Sequence, residues 1–161
     1  MKKKAEKLYL AYGSNLNLEQ MEYRCPTAKV VGASEMKGYQ LLFRGAHEGA
    51  VATVEPNTGN TVPVLVWSIT PADEAALDRY EGFPFLYRKE MVKVKLNGKT
   101  VSAMVYIMNN ENSTGSRRRL GQPSAYYYAT ILEGYKDAGF DVDILRQATV
   151  DSATMEETAD E

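Results

Sequence analysis

The residues best placed to do chemistry are one acid and one turn. Glu81 closes a helical stretch and is followed by Gly82 and the aromatic run Phe83-Pro84-Phe85. A carboxylate at a helix C-terminus faces the negative end of the helix dipole, which disfavours its ionised form by a few tenths to about 1 kcal/mol. Aromatic neighbours act in the same direction. Both raise its pKa toward the range where a carboxylate is a useful proton acceptor near neutrality. An exposed acid ahead of a glycine cap has the same local sequence, so Glu81 stands here as a candidate. The turn is Tyr12-Gly13-Ser14-Asn15, between the apolar run Leu8–Ala11 and a helix start at Asn17-Leu18-Glu19-Gln20. A strand-to-helix turn of small residues gathers several backbone N–H groups in one concavity, suited to a carboxylate or a developing oxyanion. A well-capped structural turn draws on the same residues.

Other chemistries are excluded or weakened by what the chain lacks. One histidine, His47, and one cysteine, Cys25, cannot build a zinc site of the usual kind. Tyr-Gly-Ser-Asn lacks the flanking glycine of a nucleophile elbow, and only His47 could serve Ser14 in a triad. In its glycine-rich loop His47 reads as a solvent-facing residue. Neither a GxGxxG nor a GxxxxGK[ST] sequence is present. Of eleven tyrosines, most read as packing residues with a hydrogen-bonded tip. Tyr126-Tyr127-Tyr128 cannot all face one way on a helix, and Tyr127, four residues after Pro123, is the one placed near a pocket rim.

The elements that must position these residues follow from turn and cap signals. After the opening strand and a short helix ending near Cys25-Pro26, residues 28–44 read as extended, with bends or bulges at Gly32 and Gly38. Val51–Val54 is a short strand, Pro56–Asn60 a turn, and Val62–Ile69 a strand buried on both faces. Thr70-Pro71-Ala72-Asp73 starts a helix with a Thr cap and Pro at its first position. Its apolar stripe is Ala75, Ala76, Leu77 and Tyr80, and Gly82 stops it. Asn97-Gly98 between alternating strands marks a hairpin over 87–108. Residues 109–122 form a long polar loop, of a length that fits a lid or rim. Pro123-Ser124 opens the longest helix, to about Ala138, and 141–148 reads as one more. Strict βαβ alternation is absent. The fold class is α+β, with an antiparallel or mixed sheet, either strongly curved or closed as a small barrel.

Composition describes one ordinary globular domain, 44% hydrophobic and 25% charged over 161 residues. Residues 1–150 are expected to form it, with 151–161 as a disordered acidic tail carrying five negative charges. The net charge of −2 gives no field for nucleic acid. Arg117-Arg118-Arg119 reads as a solvated face, without the aromatic interleaving that stacks bases. No run reaches the ~18 apolar residues of a membrane span, and Lys2-Lys3-Lys4 has no apolar stretch behind it to make a secretory signal. The lone cysteine agrees with a reducing, cytoplasmic setting.

Ala11-Tyr12-Gly13-Ser14-Asn15-Leu16 resembles the signature loop of the gamma-glutamylcyclotransferase family, including its AIG2-like and BtrG-like branches. The likeness continues in order through Ala52-Thr53-Val54, Val64–Trp67, Leu77-Asp78, Glu81-Gly82, Val105–Asn109 and Pro123-Ser124-Ala125-Tyr126-Tyr127. Phe83-Pro84-Phe85 departs from the family pattern in being more aromatic. The resemblance implies a small closed barrel with peripheral helices, Glu81 as catalytic base and acid, and a substrate site made by Tyr12, Gly13, Ser14, Asn15 and Tyr127. It implies a γ-glutamyl small molecule as substrate, closure to 5-oxoproline with release of an amine, no metal or cofactor, and a monomer or homodimer. A non-catalytic binder of small carboxylates on the same fold, or an enzyme removing a γ-glutamyl group in a biosynthetic route, are the alternatives.

Overall fold

A computed structural model describes residues 6–45, 49–111 and 114–155, so His47 and the end of the acidic stretch lie outside it. The chain runs β1 (Lys7–Ala11), a 3-10 turn (Ser14–Leu16), α1 (Leu18–Arg24), β2 (Lys29–Arg44), β3 (Val51–Ile69), α2 (Pro71–Glu81), β4 (Tyr87–Leu96), β5 (Lys99–Met108), α3 (Ala125–Ala138) and α4 (Val142–Thr154). The strands form one five-stranded sheet in the order β2-β3-β1-β5-β4. β1 lies in its middle, antiparallel to β3 and parallel to β5. The fold is therefore mixed α+β.

Local chemistry sets most of these boundaries. Thr70 accepts from the Asp73 amide while Asp73 accepts from the Thr70 amide, a reciprocal capping box with Pro71 at the first turn. Asn97 and Gly98 both have positive φ, 53° and 80°, as a two-residue hairpin turn requires. The register of β2 on β3 slips between Val30 and Gly32 and between Lys37 and Tyr39, the two glycine positions that signal bulges. The Pro56–Asn60 turn becomes an irregularity inside β3. Pro56 pairs with Tyr39 and Thr61 with Lys37, so the residues between bulge out and pairing resumes on both sides. Val62–Trp67 is buried on both faces. On α2, Ala75 faces solvent and Tyr80 is 44% exposed, leaving Leu77 and the capping Asp73 as its buried residues.

The sheet does not close. No backbone ladder joins β2 to β4 among the described residues. The edges nevertheless meet: Ser34 Oγ donates to the Lys95 carbonyl, and a Cβ on Gly32 would lie 2.7 Å from Leu96 Cδ1. A bulge at Gly32 turns the edge of β2, and a β4 side chain fills the gap where a ladder would run. α4 continues to Thr154, past residue 150, where Ser152 Oγ accepts from the Phe43 amide at 2.9 Å. The described end of the 109–122 loop is tied down, with Gly45 N–H to Arg119 O at 3.0 Å and Gly121 N–H to Phe43 O at 3.1 Å. Among the described residues no helix is long and apolar enough to cross a membrane.

Candidate active site

The 3-10 turn after β1 is built by its own amides. Leu16 N–H donates to Gly13 O at 2.9 Å and Asn17 N–H to Ser14 O at 3.0 Å, so the turn closes without using the amides of Gly13, Ser14 or Asn15. Asn17 then caps α1 by accepting from Gln20 N–H at 3.0 Å. From outside, α3 presses on this turn. A Cβ on Gly134 would lie 2.6 Å from Leu16 Cβ and 2.7 and 2.8 Å from its backbone C and O. Asn17 Nδ2 also donates to the Thr130 carbonyl at 3.0 Å. A helix seated directly on backbone holds the turn rigidly, and only glycine permits that approach.

The turn lines a cavity of about 250 Å³ whose wall also includes Glu81, Tyr127, Tyr9, Tyr87 and Tyr106. Tyr12, Gly13, Ser14 and Asn15 all line it, so every residue singled out in the sequence as catalytic or substrate-binding opens onto one space. Glu81 reaches it from the last turn of α2, where Gly82 ends the helix in the left-handed region at φ 65°. Glu81 Oε2 is 3.5 Å from Asn15 Nδ2, and the same amide nitrogen donates to Tyr9 Oη at 2.8 Å. Burial pushes the Glu81 carboxyl up to about 7, while the Arg24 guanidinium pulls the other way.

The direction of that shift agrees with the sequence reading, but different aromatics surround the acid. Phe83, Pro84 and Phe85 are not on the cavity wall, and Phe85 is 84% exposed. The rings sharing the cavity with Glu81 come instead from β1, the turn, α2, β4, β5 and α3. Three of them have their hydroxyl protons spent within the protein: Tyr12 Oη donates to the Tyr106 carbonyl at 2.6 Å, Tyr87 Oη to the Ala52 carbonyl at 2.5 Å, and Tyr106 Oη to Asp78 Oδ1 at 2.6 Å. Burial holds the Tyr9, Tyr12, Tyr87 and Tyr127 hydroxyls above their ordinary pKa, so they are neutral at physiological pH.

Tyr127, like Tyr9 with Asn15, accepts rather than donates. Its oxygen accepts from the Ala52 amide at 3.1 Å, which leaves its proton for an acceptor in the cavity. Ser14 Oγ and Tyr80 Oη share a hydrogen bond of 2.8 Å beside Tyr127. Tyr126, its neighbour on α3, points away and is 76% exposed. No lysine or arginine lines the cavity among the described residues, and none of their His, Cys, Asp and Glu side chains cluster as a metal site would.

Residues 9–128 match the family model gamma-glutamyl cyclotransferase, AIG2-like. The chain belongs to this family. It is 30% identical over 141 residues to gamma-glutamylcyclotransferase of Homo sapiens, covering 82% of this chain and 71% of the human protein. The Mus musculus protein of the same name is 29% identical with the same coverage. A solved gamma-glutamyl cyclotransferase structure superposes with a TM-score of 0.75 at 25% identity, over 98% of this chain and 91% of the other. The matched span of the cyclotransferase family model includes the turn, Glu81 and Tyr127 together.

Proposed function

We propose that this chain is a cyclotransferase acting on a γ-glutamyl amide, with Glu81 as the proton carrier. The substrate's own α-amine attacks its γ-carbonyl, closing a five-membered ring. For this the α-ammonium first gives a proton to the Glu81 carboxylate, and the amine lone pair then forms the new C–N bond. The carbonyl electrons move to oxygen, and the tetrahedral oxyanion needs donors, which the amides of Gly13, Ser14 and Asn15 offer. Collapse of the oxyanion breaks the original amide bond. Glu81 gives its proton to the departing nitrogen as that bond breaks. The ring nitrogen passes its second proton back through the freed carboxylate to the amine, and 5-oxoproline and an alkylammonium leave. Protons balance, and no covalent enzyme intermediate forms.

One observation carries this reading: a carboxyl whose pKa is raised to about 7 shares a cavity with a turn whose first amides are not spent on its own closure. A base with a pKa near the working pH is the efficient one. Confinement in a small cavity favours the folded, near-attack form of the substrate, which can contribute several kcal/mol. The absence of lysine and arginine from the described lining assigns the substrate's α-carboxylate to hydroxyl and amide donors, with Ser14 and Tyr127 the side chains best placed to serve.

The test is incubation with a panel of γ-glutamyl dipeptides, amines and larger conjugates, read by mass spectrometry. Stoichiometric 5-oxoproline and amine are expected. Free glutamate would mean attack by water, and tight binding without product would mean a binding module; either overturns the mechanism.

A further inference from the structure

Arg24 is absent from the cavity wall, yet it holds two residues that form it. On α1 it lies one turn beyond Gln20, whose Oε1 accepts from Nη2 at 2.9 Å. The other arm of its fork, Nη1, donates to Asn15 Oδ1. The flat face of the guanidinium covers the Tyr80 ring at 3.5 Å from its centroid. Asn15 is 3% exposed, so its side-chain amide must find partners within the protein. The two ends of an amide are nearly equal in shape and opposite in chemistry. A donor-only cation behind Asn15 takes the oxygen, and the NH2 is thereby turned to Tyr9 Oη and Glu81 Oε2. The reverse orientation would set a carbonyl oxygen against the carboxylate and an NH2 against the guanidinium.

We propose that Arg24 is a positioning residue: from behind the cavity it fixes the Asn15 amide with its NH2 toward Glu81 and steadies Tyr80 against Ser14. Its kinetic consequence rests on Glu81 being the proton carrier; its structural consequence does not. Arginine suits this role where lysine would not, because one planar fork serves Asn15, Gln20 and the Tyr80 face at once. The other ionisable groups on the wall with Glu81 are tyrosine hydroxyls: those of Tyr9, Tyr12, Tyr87 and Tyr127, which burial keeps neutral, and those of Tyr80 and Tyr106. Arg24 is therefore the cation acting on Glu81 among the described residues.

Two measurements on the full chain test this, using Arg24→Gln and Arg24→Lys. The first is NMR without substrate. In Arg24→Gln the Glu81 carboxyl midpoint is expected to rise from about 7 by about half a pH unit or more. The Asn15 NH2 signals are expected to move and lose protection. Arg24→Lys keeps the midpoint but not the Asn15 signals, since charge is retained and the fork is lost. The second is a double-mutant cycle in kcat, taken above the raised midpoint. Arg24→Gln alone is expected to cost about 10-fold, and less than about 3-fold in an Asn15→Ala background, as expected for residues acting as one unit. Unchanged Asn15 signals in a folded variant, or additive losses, overturn the proposal. If Arg24→Gln does not fold, the Asn15 signals of Arg24→Lys decide. A wild-type chain that turns over no γ-glutamyl compound would remove the reading of the reaction and leave the NMR outcome to stand or fall separately.

Discussion

Glu74 and Glu81 lie on the same helix, seven residues and so about two turns apart, nearly on one face. Burial disfavours the ionised form of both, and it is the largest influence on each. They end on opposite sides of the ordinary carboxylate value. Glu74 meets Lys89 at 2.6 Å and Lys7 at 2.9 Å, and its pKa is lowered. Glu81 has only the indirect pull of Arg24 and is raised to about 7. Burial acts in the same direction on both but goes much deeper at Glu81, and the supply of cations differs as well. β1 and β4 each bring a lysine to the N-terminal end of α2, whereas at its C-terminal end the same strands bring tyrosines. One end of the helix is held by ion pairs. The other keeps a carboxyl that can take and return a proton.

The largest expected effect is on turnover. Glu81→Gln preserves shape and removes the titrating group, and loss of a general base typically costs 10²–10⁴-fold. We expect a loss of that size in kcat. In the wild type, kcat/KM is expected to fall on the acid side with a midpoint near 7 as Glu81 is protonated. Full turnover by Glu81→Gln would show that the contrast between the two acids has nothing to do with chemistry.

The same substitution is expected to stabilise the fold. Because the folded-state pKa of Glu81 lies above its usual 4.5, the unfolded chain loses this proton first as pH rises. The stability contributed by the protonated form is complete below about 4.5 and is lost as pH climbs through about 7. Glu81→Gln is therefore expected to match the wild type at pH 4 in urea unfolding. It should exceed the wild type by up to about 3 kcal/mol at pH 8, since each pH unit separating the folded and unfolded midpoints is worth about 1.4 kcal/mol. A gain that is equal at both pH values would assign it to packing.

Gly134→Ala separates the turn from the acid. In a helix interior alanine is ordinarily the better residue by about 1 kcal/mol. Here its methyl would meet the Leu16 backbone at 2.7–2.8 Å, which cannot yield without moving the turn. We expect a net loss of about 1–3 kcal/mol and reduced kcat, with the Glu81 midpoint still near 7. A stabilised, fully active variant would show that α3 does not fix the turn.

How much of this could be read from the chain depends on whether the signal is local. The Thr70–Asp73 cap, the Asn97-Gly98 hairpin and the bulges at Gly32 and Gly38 are each written within a few residues, and each forms as read. Pro56–Asn60 misleads because a wide bulge and a chain reversal use the same residues, and only the pairing of β2 with both flanks tells them apart. Sheet closure depends on how two edges distant in sequence meet. The turn, Glu81 and Tyr127 were legible as candidates, but the rings that surround them were not. Tyr9, Tyr87 and Tyr106 sit in strands where a tyrosine reads as core, and they converge because β1 pairs in parallel with β5 at Tyr9 and Met104. Arg24 left one local trace, its i, i+4 spacing from Gln20, which marks a helix pair and says nothing of Asn15.

The smallest expected effect tests whether cations, rather than position on the helix, divide the two acids. Lys89→Met keeps most of the stem's length and removes the ammonium, which lies 4.3 Å from the Phe83 centroid and is shared by Glu74 and Asp78. At pH 7 the cost is expected to be about 1 kcal/mol, the upper range for ion pairs that are not fully buried. Glu74's contribution is present above its unfolded pKa and is lost as pH falls through its lowered folded value, so the cost should shrink in acid. Turnover should change by less than about 2-fold, since Lys89 is not on the cavity wall. The deciding reading is the Glu74 carboxyl midpoint by NMR. If it rises in Lys89→Met while that of Glu81 stays near 7, missing counter-charge is what leaves a buried acid on α2 poised to carry a proton. If Glu74 stays low, Lys7→Met in the same background decides: a midpoint still low then would trace the difference to the deeper burial of Glu81 rather than to cations.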